Sequence, residues 1–272
     1  KTGSNRTAVA KRAPDFVQSL DRGLAVIRAF DSEHPRLTLS EVAREAGLTR
    51  AAARRFLLTL VELGYVRSDG REFSLRPRVL ELGYAYLSGM SLPEVAYPHM
   101  QELVDRVQES SSVSVLDGDE IVDIARVVPA KRIMTVAVPV GTRFRAHASS
   151  KGRVLLASLS ASDLDGYLDG VTLDRLTTHT VTSPKKLRAI LDEVRSQGFA
   201  VVDQEVEEGI RSIAVPVRDA SGSVIAAINI SAYASRVSLG AVRGEFLPAL
   251  LATAGQIEAD LRAQGNRRRP GS

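Results

Sequence analysis

The stretch TLSEVAREAGLTRAAARRFLLTLVELGYV, residues 38–66, leaves the chain little choice of local structure. Thr38 precedes Glu41 by the spacing at which a hydroxyl and a carboxylate cap each other's backbone donors, so a helix starts there. Val42, Ala43 and Ala46 line its inner side. Gly47 ends it as a left-handed residue that carries no Cβ penalty. Thr49 then caps a second helix, in which Ala53, Phe56, Leu57 and Leu60 recur at i, i+3, i+4 and i+7. Two short helices that cross at a glycine, beside a small Ala43, meet the steric requirement of a helix-turn-helix.

The flanks extend the pattern. Ser19 to Phe30 places Leu20, Leu24, Ile27 and Phe30 near one helical face, and His34-Pro35 closes that helix. After the bihelical unit, Gly64-Tyr65-Val66 and Glu72-Phe73-Ser74-Leu75 flank an Asp69-Gly70 turn and predict a hairpin. Three helices and a hairpin make a winged helix-turn-helix. The outer face of the second crossing helix carries Arg50, Ala51, Arg54 and Arg55, with Ala52 beside them and Thr49 at the positive end of the helix dipole. Leu58 and Thr59, not acids, follow at i+4. The ordinary alternative is a solvated face, but unpaired positive charge on a projecting helix suits the DNA major groove. There an arginine bridges guanine O6 and N7, and Ala51 or Ala52 rests on a thymine methyl. Arg67 and Arg71 on the wing, with Lys11 and Arg12 ahead of the first helix, are placed for phosphates.

Charge distribution agrees. Residues 1–90 hold 15 Lys+Arg against 10 Asp+Glu, whereas residues 91–260 hold 17 against 22. A basic head on a mildly acidic body fits a polyanion reader joined to a unit with another task. With 44% hydrophobic and 25% charged residues the chain can bury a substantial core. No apolar run reaches membrane-spanning length and no secretory signal is visible, so a cytoplasmic protein is expected, with no membrane partner. Zero cysteines exclude disulfides and thiolate-ligated metals, and four scattered histidines leave little for zinc. No metal and no cofactor are expected.

Pro77 to Met90 is apolar on several helical faces and reads as a linker helix that also pairs protomers, the alternative being a helix buried against its own domain. Beyond it, a helix over residues 93–109, a hairpin around DGDE, a strand over 134–138 and helices at 149–160 and 162–168 are expected. Ser183-Pro184 and Gly198 bracket another helix. Strands at 199–203, 212–218 and 224–233 and a C-terminal helix from about 244 to 261 complete an α+β domain around an antiparallel sheet. The partition is a disordered basic tail (1–14), the winged unit (15–76), the linker helix (77–90), the α+β domain (91–262) and a disordered tail (263–272).

Catalytic readings are weak. Ser149, Ser150, Lys151 and His147 cluster in the manner of a hydroxyl-lysine nucleophile pair, but the serines are more simply helix caps. The acids of DQEVEE (203–208) alternate to opposite sides of an extended segment, and most of them read as solvated surface. GTRFRAHASSKG lacks the spacing of a phosphate-cradling loop. Asn229 and Ser231 share one face of a strand whose other residues are Ile228 and Ile230, which points to water or a ligand above them.

The runs FVQSLDRGLAVIRAF, the helix-turn-helix, GYVRSDGREFSLRPRVLELG, VGTRFRAHASSKGRVLLA and VVDQEVEEGIRSIAVPVRDASGSVIAAINISAYASRV together resemble the IclR family of bacterial transcription regulators. FVQSLDRGLAVIRAFD and RIMTV resemble the branch that controls protocatechuate, 4-hydroxybenzoate and β-ketoadipate catabolism. The resemblance implies a GAF-like effector-binding domain, dimers or dimers of dimers, a double-stranded DNA operator and a small organic acid effector. It places effector contacts on Ile133, Ser150, Lys151, Val202, Ile210, Ser212, Asn229 and Ser231. Where the family often has Pro before the His position this chain has Arg145, and where it often has an acid it has Val202. Arg145 or Arg143 turned inward would receive a carboxylate. The expected function is therefore a ligand-responsive, DNA-binding transcriptional regulator and not an enzyme. The alternative is a sensor or enzyme whose winged helix makes protein contacts.

Overall fold

The structure is a computed structural model that describes residues 15–31, 33–87, 92–130 and 138–267. The chain divides into two compact units, residues 1–86 and 87–272. The expected tail at 1–14, the end of the linker helix, most of the strand at 134–138 and the last residues of the C-terminal tail lie outside the described residues.

In the first unit, α1 (Gln18–Arg28), α2 (Leu39–Glu45) and α3 (Arg50–Glu62) pack around Val26, Phe30, Leu37, Val42, Leu57, Leu60 and Val66. The capping box forms as expected: Glu41 Oε2 accepts from the Thr38 amide at 2.7 Å, and the Glu41 amide donates to Thr38 Oγ1 at 3.4 Å. Gly47 takes φ +63°, and the Leu48 amide closes back on the Ala43 carbonyl at 2.8 Å. That closure satisfies an orphan helix carbonyl while turning the chain into α3. The wing has a third strand that periodicity did not reveal. β1 (Leu37–Thr38) joins β2 (Val66–Ser68) and β3 (Glu72–Leu75) in the order β1-β3-β2.

One packing expectation is corrected. Leu20 and Leu24 do not face this core; they are 63% and 44% exposed, and Val26 and Phe30 with partly buried Ile27 form the inner stripe instead. The two apolar stripes of α1 diverge because positions four apart drift around a helix of 3.6 residues per turn. The expected linker helix begins as a 3-10 turn (Pro77–Val79) and continues as α4 (Leu80–Leu87). Arg78 secures this start by donating to the Leu63 carbonyl at 2.9 Å and stacking on Tyr65.

The second unit is built on a six-stranded, wholly antiparallel sheet. Its strands are β4 (Ser110–Asp117), β5 (Glu120–Val127), β6 (Arg143–Arg145), β7 (Ala200–Asp203), β8 (Ile210–Arg218) and β9 (Val224–Tyr233), in the order β6-β5-β4-β9-β8-β7. One face is covered by α5 (Leu92–Val107) and the C-terminal α10 (Leu247–Arg267), through Met100, Val104, Ile213, Ile228, Ile230 and Leu250. α10 follows the short α9 (Leu239–Ala241) and a wide turn, and it runs past residue 262 into the segment expected to be disordered. The other face is covered by α6 (Ser150–Ala157), α7 (Ala161–Gly170) and α8 (Pro184–Gln197), with Leu156, Leu164, Leu187 and Leu191 at its centre. This is the α+β, GAF-like architecture expected. Ser183 and Gly198 end α8 as the sequence indicates, Gly198 at φ +81°.

The second face is not uniformly apolar. Every residue of α6 is buried, including Ser150, Lys151 and Arg153. Its close seat depends on small residues: a Cβ on Gly152 would lie 2.1 Å from the Ala146 carbonyl oxygen.

Candidate functional site

Strand register assembles a polar floor on the α6 side of the sheet. Ser110, Ser231, Ser212 and Val202 lie opposite one another across β4, β9, β8 and β7. The next rung aligns Arg126, Ser112, Asn229 and Ala214, and the next pairs Asp123, Ser114 and Ala227. Alternation sends these side chains to the face opposite Val113, Ile228 and Ile230. Above the floor stand Ser149, Ser150 and Lys151 at the start of α6, Phe144 on β6, and Val206 and Glu207 after β7. Together with Val138, Ile121, Ile210 and Tyr233 they enclose a cavity of about 140 Å³.

The floor is a connected network. Lys151 Nζ donates to Ser112 Oγ at 2.5 Å and to Asp123 Oδ1, which also accepts from Ser114 Oγ. Ser112 donates from its amide (3.0 Å) and hydroxyl (2.9 Å) to Asn229 Oδ1, and Asn229 Nδ2 donates to Ser231 Oγ at 2.8 Å. Lys151 and Asp123 are 5% and 0% exposed, so their pairing removes what would otherwise be a prohibitive desolvation cost. Burial still pulls the Lys151 ammonium below its ordinary range, against the attraction of Asp123. Its Nζ lies 5.8 Å from the centre of the Phe144 ring.

A second buried pair lies behind the cavity wall. Arg153 forks onto Glu205 with two bonds of 2.7 and 2.6 Å, its Nε donates to the His147 carbonyl at 2.9 Å, and Glu205 accepts from the Val181 amide at 2.9 Å. α6 and the segment after β7, both lining the cavity, are thereby clamped together. Of the acids at 203–208, Glu207 and Glu208 are exposed as expected, but β7 ends at Asp203, which pairs with Arg211, and Glu205 is buried.

Of the expected effector contacts, Ser150, Lys151, Val202, Ile210, Ser212, Asn229 and Ser231 all line the cavity. Ile133 lies outside the described residues. Arg145 is a correction. It does not line the cavity, because Asp119 at 2.7 Å and Asp174 at 2.9 Å hold its guanidinium. Arg143 is likewise held by Asp117 and Glu120, both at 2.7 Å. The charged residues of the floor are instead Asp123 and Arg126, which sequence reasoning missed. Their signal was present: two charges within the otherwise apolar strand IVDIARVV, a pattern that a buried strand tolerates only for paired or ligand-facing groups.

Among the described residues around the cavity no hydroxyl nucleophile is arranged. Ser149 caps α6 through the Gly152 amide at 3.0 Å, and Lys151 points to Ser112 and Asp123. His147 Nε2 donates to the Asp174 carbonyl at 3.1 Å, and burial lowers its pKa. Among the described residues no His, Cys, Asp or Glu cluster has the form of a metal site.

In the first unit, Thr49 caps α3 by accepting from the Ala52 amide at 3.2 Å. Arg50, Ala51, Arg54 and Arg55 are exposed and Ala52 is half-buried. Among the described residues none of the three arginines has a carboxylate within 4.0 Å. On the wing, Arg67 donates to Ser74 Oγ at 2.9 Å, and the Arg71 amide is fixed by Asp69 at 3.0 Å. Lys11 and Arg12 lie outside the described residues.

Comparison with known proteins accounts for both units. The family model for the IclR helix-turn-helix domain matches residues 19–70, and that for the bacterial transcriptional regulator IclR C-terminal domain matches residues 84–259. The Pca regulon regulatory protein of Pseudomonas putida is 45% identical, over 88% of this chain and 82% of its own. The p-hydroxybenzoate hydroxylase transcriptional activator of Acinetobacter baylyi is 36% identical over 90% and 92%. An IclR homologue from Microbacterium hydrocarbonoxydans, solved in complex with 4-hydroxybenzoate, superposes with a TM-score of 0.78 at 30% identity, covering 90% of this chain and 99% of that one. These relatives are transcriptional regulators, not enzymes. The helix-turn-helix with its unpaired arginines and the cavity-bearing α+β unit are the two parts of one known architecture, and the chain belongs to the IclR family of bacterial transcriptional regulators.

Proposed function

We propose that the protein is a homodimeric or tetrameric regulator of aromatic acid catabolism, which reads a DNA operator through α3 and releases or remodels it when a single-ring carboxylic acid fills the cavity. The observation that carries this is a cavity of about 140 Å³ lined by Lys151 and Arg126. An apolar cavity of about 150 Å³ in another protein holds one benzene ring, so the space suits one ring and its substituents. The names of the Pseudomonas and Acinetobacter relatives and the 4-hydroxybenzoate in the Microbacterium homologue point to the same ligand class.

Arg50, Arg54 and Arg55, with Thr49, Ala51 and Ala52, are the base readers; Arg67, Arg71, Lys11 and Arg12 are the phosphate contacts. A second copy covers the exposed leucines of α1 and α4: Leu20 (63%), Leu24 (44%), Leu80 (71%) and Leu82 (51%). Residues 77–90 act as the linker helix between a winged unit (15–76) and an effector domain (91–262). No helix among the described residues is long and apolar enough to cross a membrane, and a DNA operator places the working protein in the cytoplasm.

Isothermal titration with protocatechuate, 4-hydroxybenzoate and β-ketoadipate tests the ligand class, alongside footprinting of the DNA upstream of the gene with and without each compound. Saturable binding of an aromatic acid, with a changed footprint, is expected. Flat titrations with both aromatic acids overturn the aromatic reading.

A further inference from the structure

We propose that Arg126 receives the carboxylate of the cavity's ligand. The inference deepens the effector reading and rests on the cavity being the effector site.

Arg126 lies on β5 directly opposite Ser112, on the cavity side of the sheet, and lines the cavity. Its side chain is 17% exposed, and its Nε has no hydrogen-bond partner. The carboxylate beside it is that of Asp123, at 3.8 Å from Nη1, which is an ion pair without a hydrogen bond. Asp123 is committed through one oxygen: Lys151 and Ser114 both donate to its Oδ1, while Oδ2, the atom on the Arg126 side, has no hydrogen-bond partner. Among the described residues, the cavity around Asp123 thus holds two cations and one carboxylate. The other cavity-lining acids do not redress this, since Glu109 is engaged by Arg236 at 3.4 Å and Glu207 sits on the exposed segment after β7.

A desolvated guanidinium with an unfilled donor is costly unless something pairs with it. Burial accordingly disfavours its charged form. Moreover, Arg126 and Lys151 repel one another. An anionic ligand relieves both. A carboxylate fits best, because the guanidinium offers two parallel donors at the spacing of two carboxylate oxygens. Ser150 Oγ supplies another donor in the same cavity; Ser150 is 1% exposed and its hydroxyl has no partner.

The test compares an acid with its ester in the full chain. Calorimetry with 4-hydroxybenzoate and methyl 4-hydroxybenzoate should show the acid binding the wild-type protein about ten- to a hundredfold more tightly, as a charge-assisted pair requires. In Arg126→Gln the acid should lose that advantage while the ester binds within about threefold of wild type; Arg126→Lys should retain part of it. Arg145→Gln should leave the ratio intact. Circular dichroism establishes that each variant is folded. An acid-over-ester preference that persists in Arg126→Gln overturns the proposal while leaving the aromatic effector reading untouched. Aromatic acids that fail to bind, together with β-ketoadipate that binds through Arg126, overturn the aromatic reading and support this one. Flat titrations with every carboxylate overturn both.

Discussion

Arg153 and Glu205 show what a buried charge does in this protein. Neither touches the cavity, yet each sits one or two residues from side chains that do. Their forked ion pair ties the start of α6 to the segment after β7. Breaking such a pair leaves an uncompensated buried charge, whereas removing both charges together is far cheaper. Arg153→Met or Glu205→Leu alone should therefore destabilise the protein by about 3–5 kcal/mol, and the double substitution should cost clearly less than the sum of the two. Chemical denaturation of the four proteins measures this; simple additivity would mean that the pair is not an energetic unit. The sequence concealed the pair because 52 positions separate its members. Read locally, SKGRVLLA is a helix start with two exposed cations, and DQEVEE is an acidic surface. Only the layering of α6 between the sheet and α8 forces Lys151 and Arg153 inside and obliges each to find its carboxylate.

Among the elements, those with strong local chemistry were legible in advance. Thr38 and Glu41, Gly47, Thr49, Ser183-Pro184 and Gly198 each satisfy or release backbone groups through their own side chain or the lack of one, so the helix ends follow from sequence. β1 and β6, at two and three residues, carry no periodicity and exist because a neighbouring strand offers pairing partners. The faces of α1 were misassigned for a related reason: a helix with two apolar stripes does not say which one its own domain uses. α6 provides a sharp test at this scale. Gly152→Ala places a methyl group where the Ala146 carbonyl already stands, 2.1 Å away. The helix must lift, at a cost of at least about 2 kcal/mol. A loss of thermal stability together with weakened effector binding is expected, because Ser150 and Lys151 move with the helix. An unchanged denaturation midpoint would mean that the approach is less tight than the geometry indicates.

For the whole molecule, the division of charge matters most. The first unit carries surplus cations on α3 and the wing, and the second places two cations, Lys151 and Arg126, in the lining of its cavity. If α3 reads bases and the wing clamps phosphates, Arg54→Ala should relax sequence preference, while Arg71→Ala should weaken binding to every sequence and reduce the salt slope by about one. Electrophoretic mobility shifts on operator and scrambled DNA over a salt series separate the two; identical behaviour of both variants would remove the division of labour. Affinity that barely responds to salt would instead favour a protein partner for the winged unit, since counterion release makes phosphate binding steeply salt-dependent.

Local rules settled the helix ends, the alternation of β9 and the outward arginines of α3, because each depends on interactions within a few residues along the chain. The cavity was decided otherwise. Arg126, Ser112 and Asn229 meet only through the register of three strands distant in sequence, and Arg145 stays out because Asp119 and Asp174 reach it first. Which cation faces a ligand depends on which carboxylates the fold delivers to each, and that competition is resolved only when the sheet and its covering helices come together.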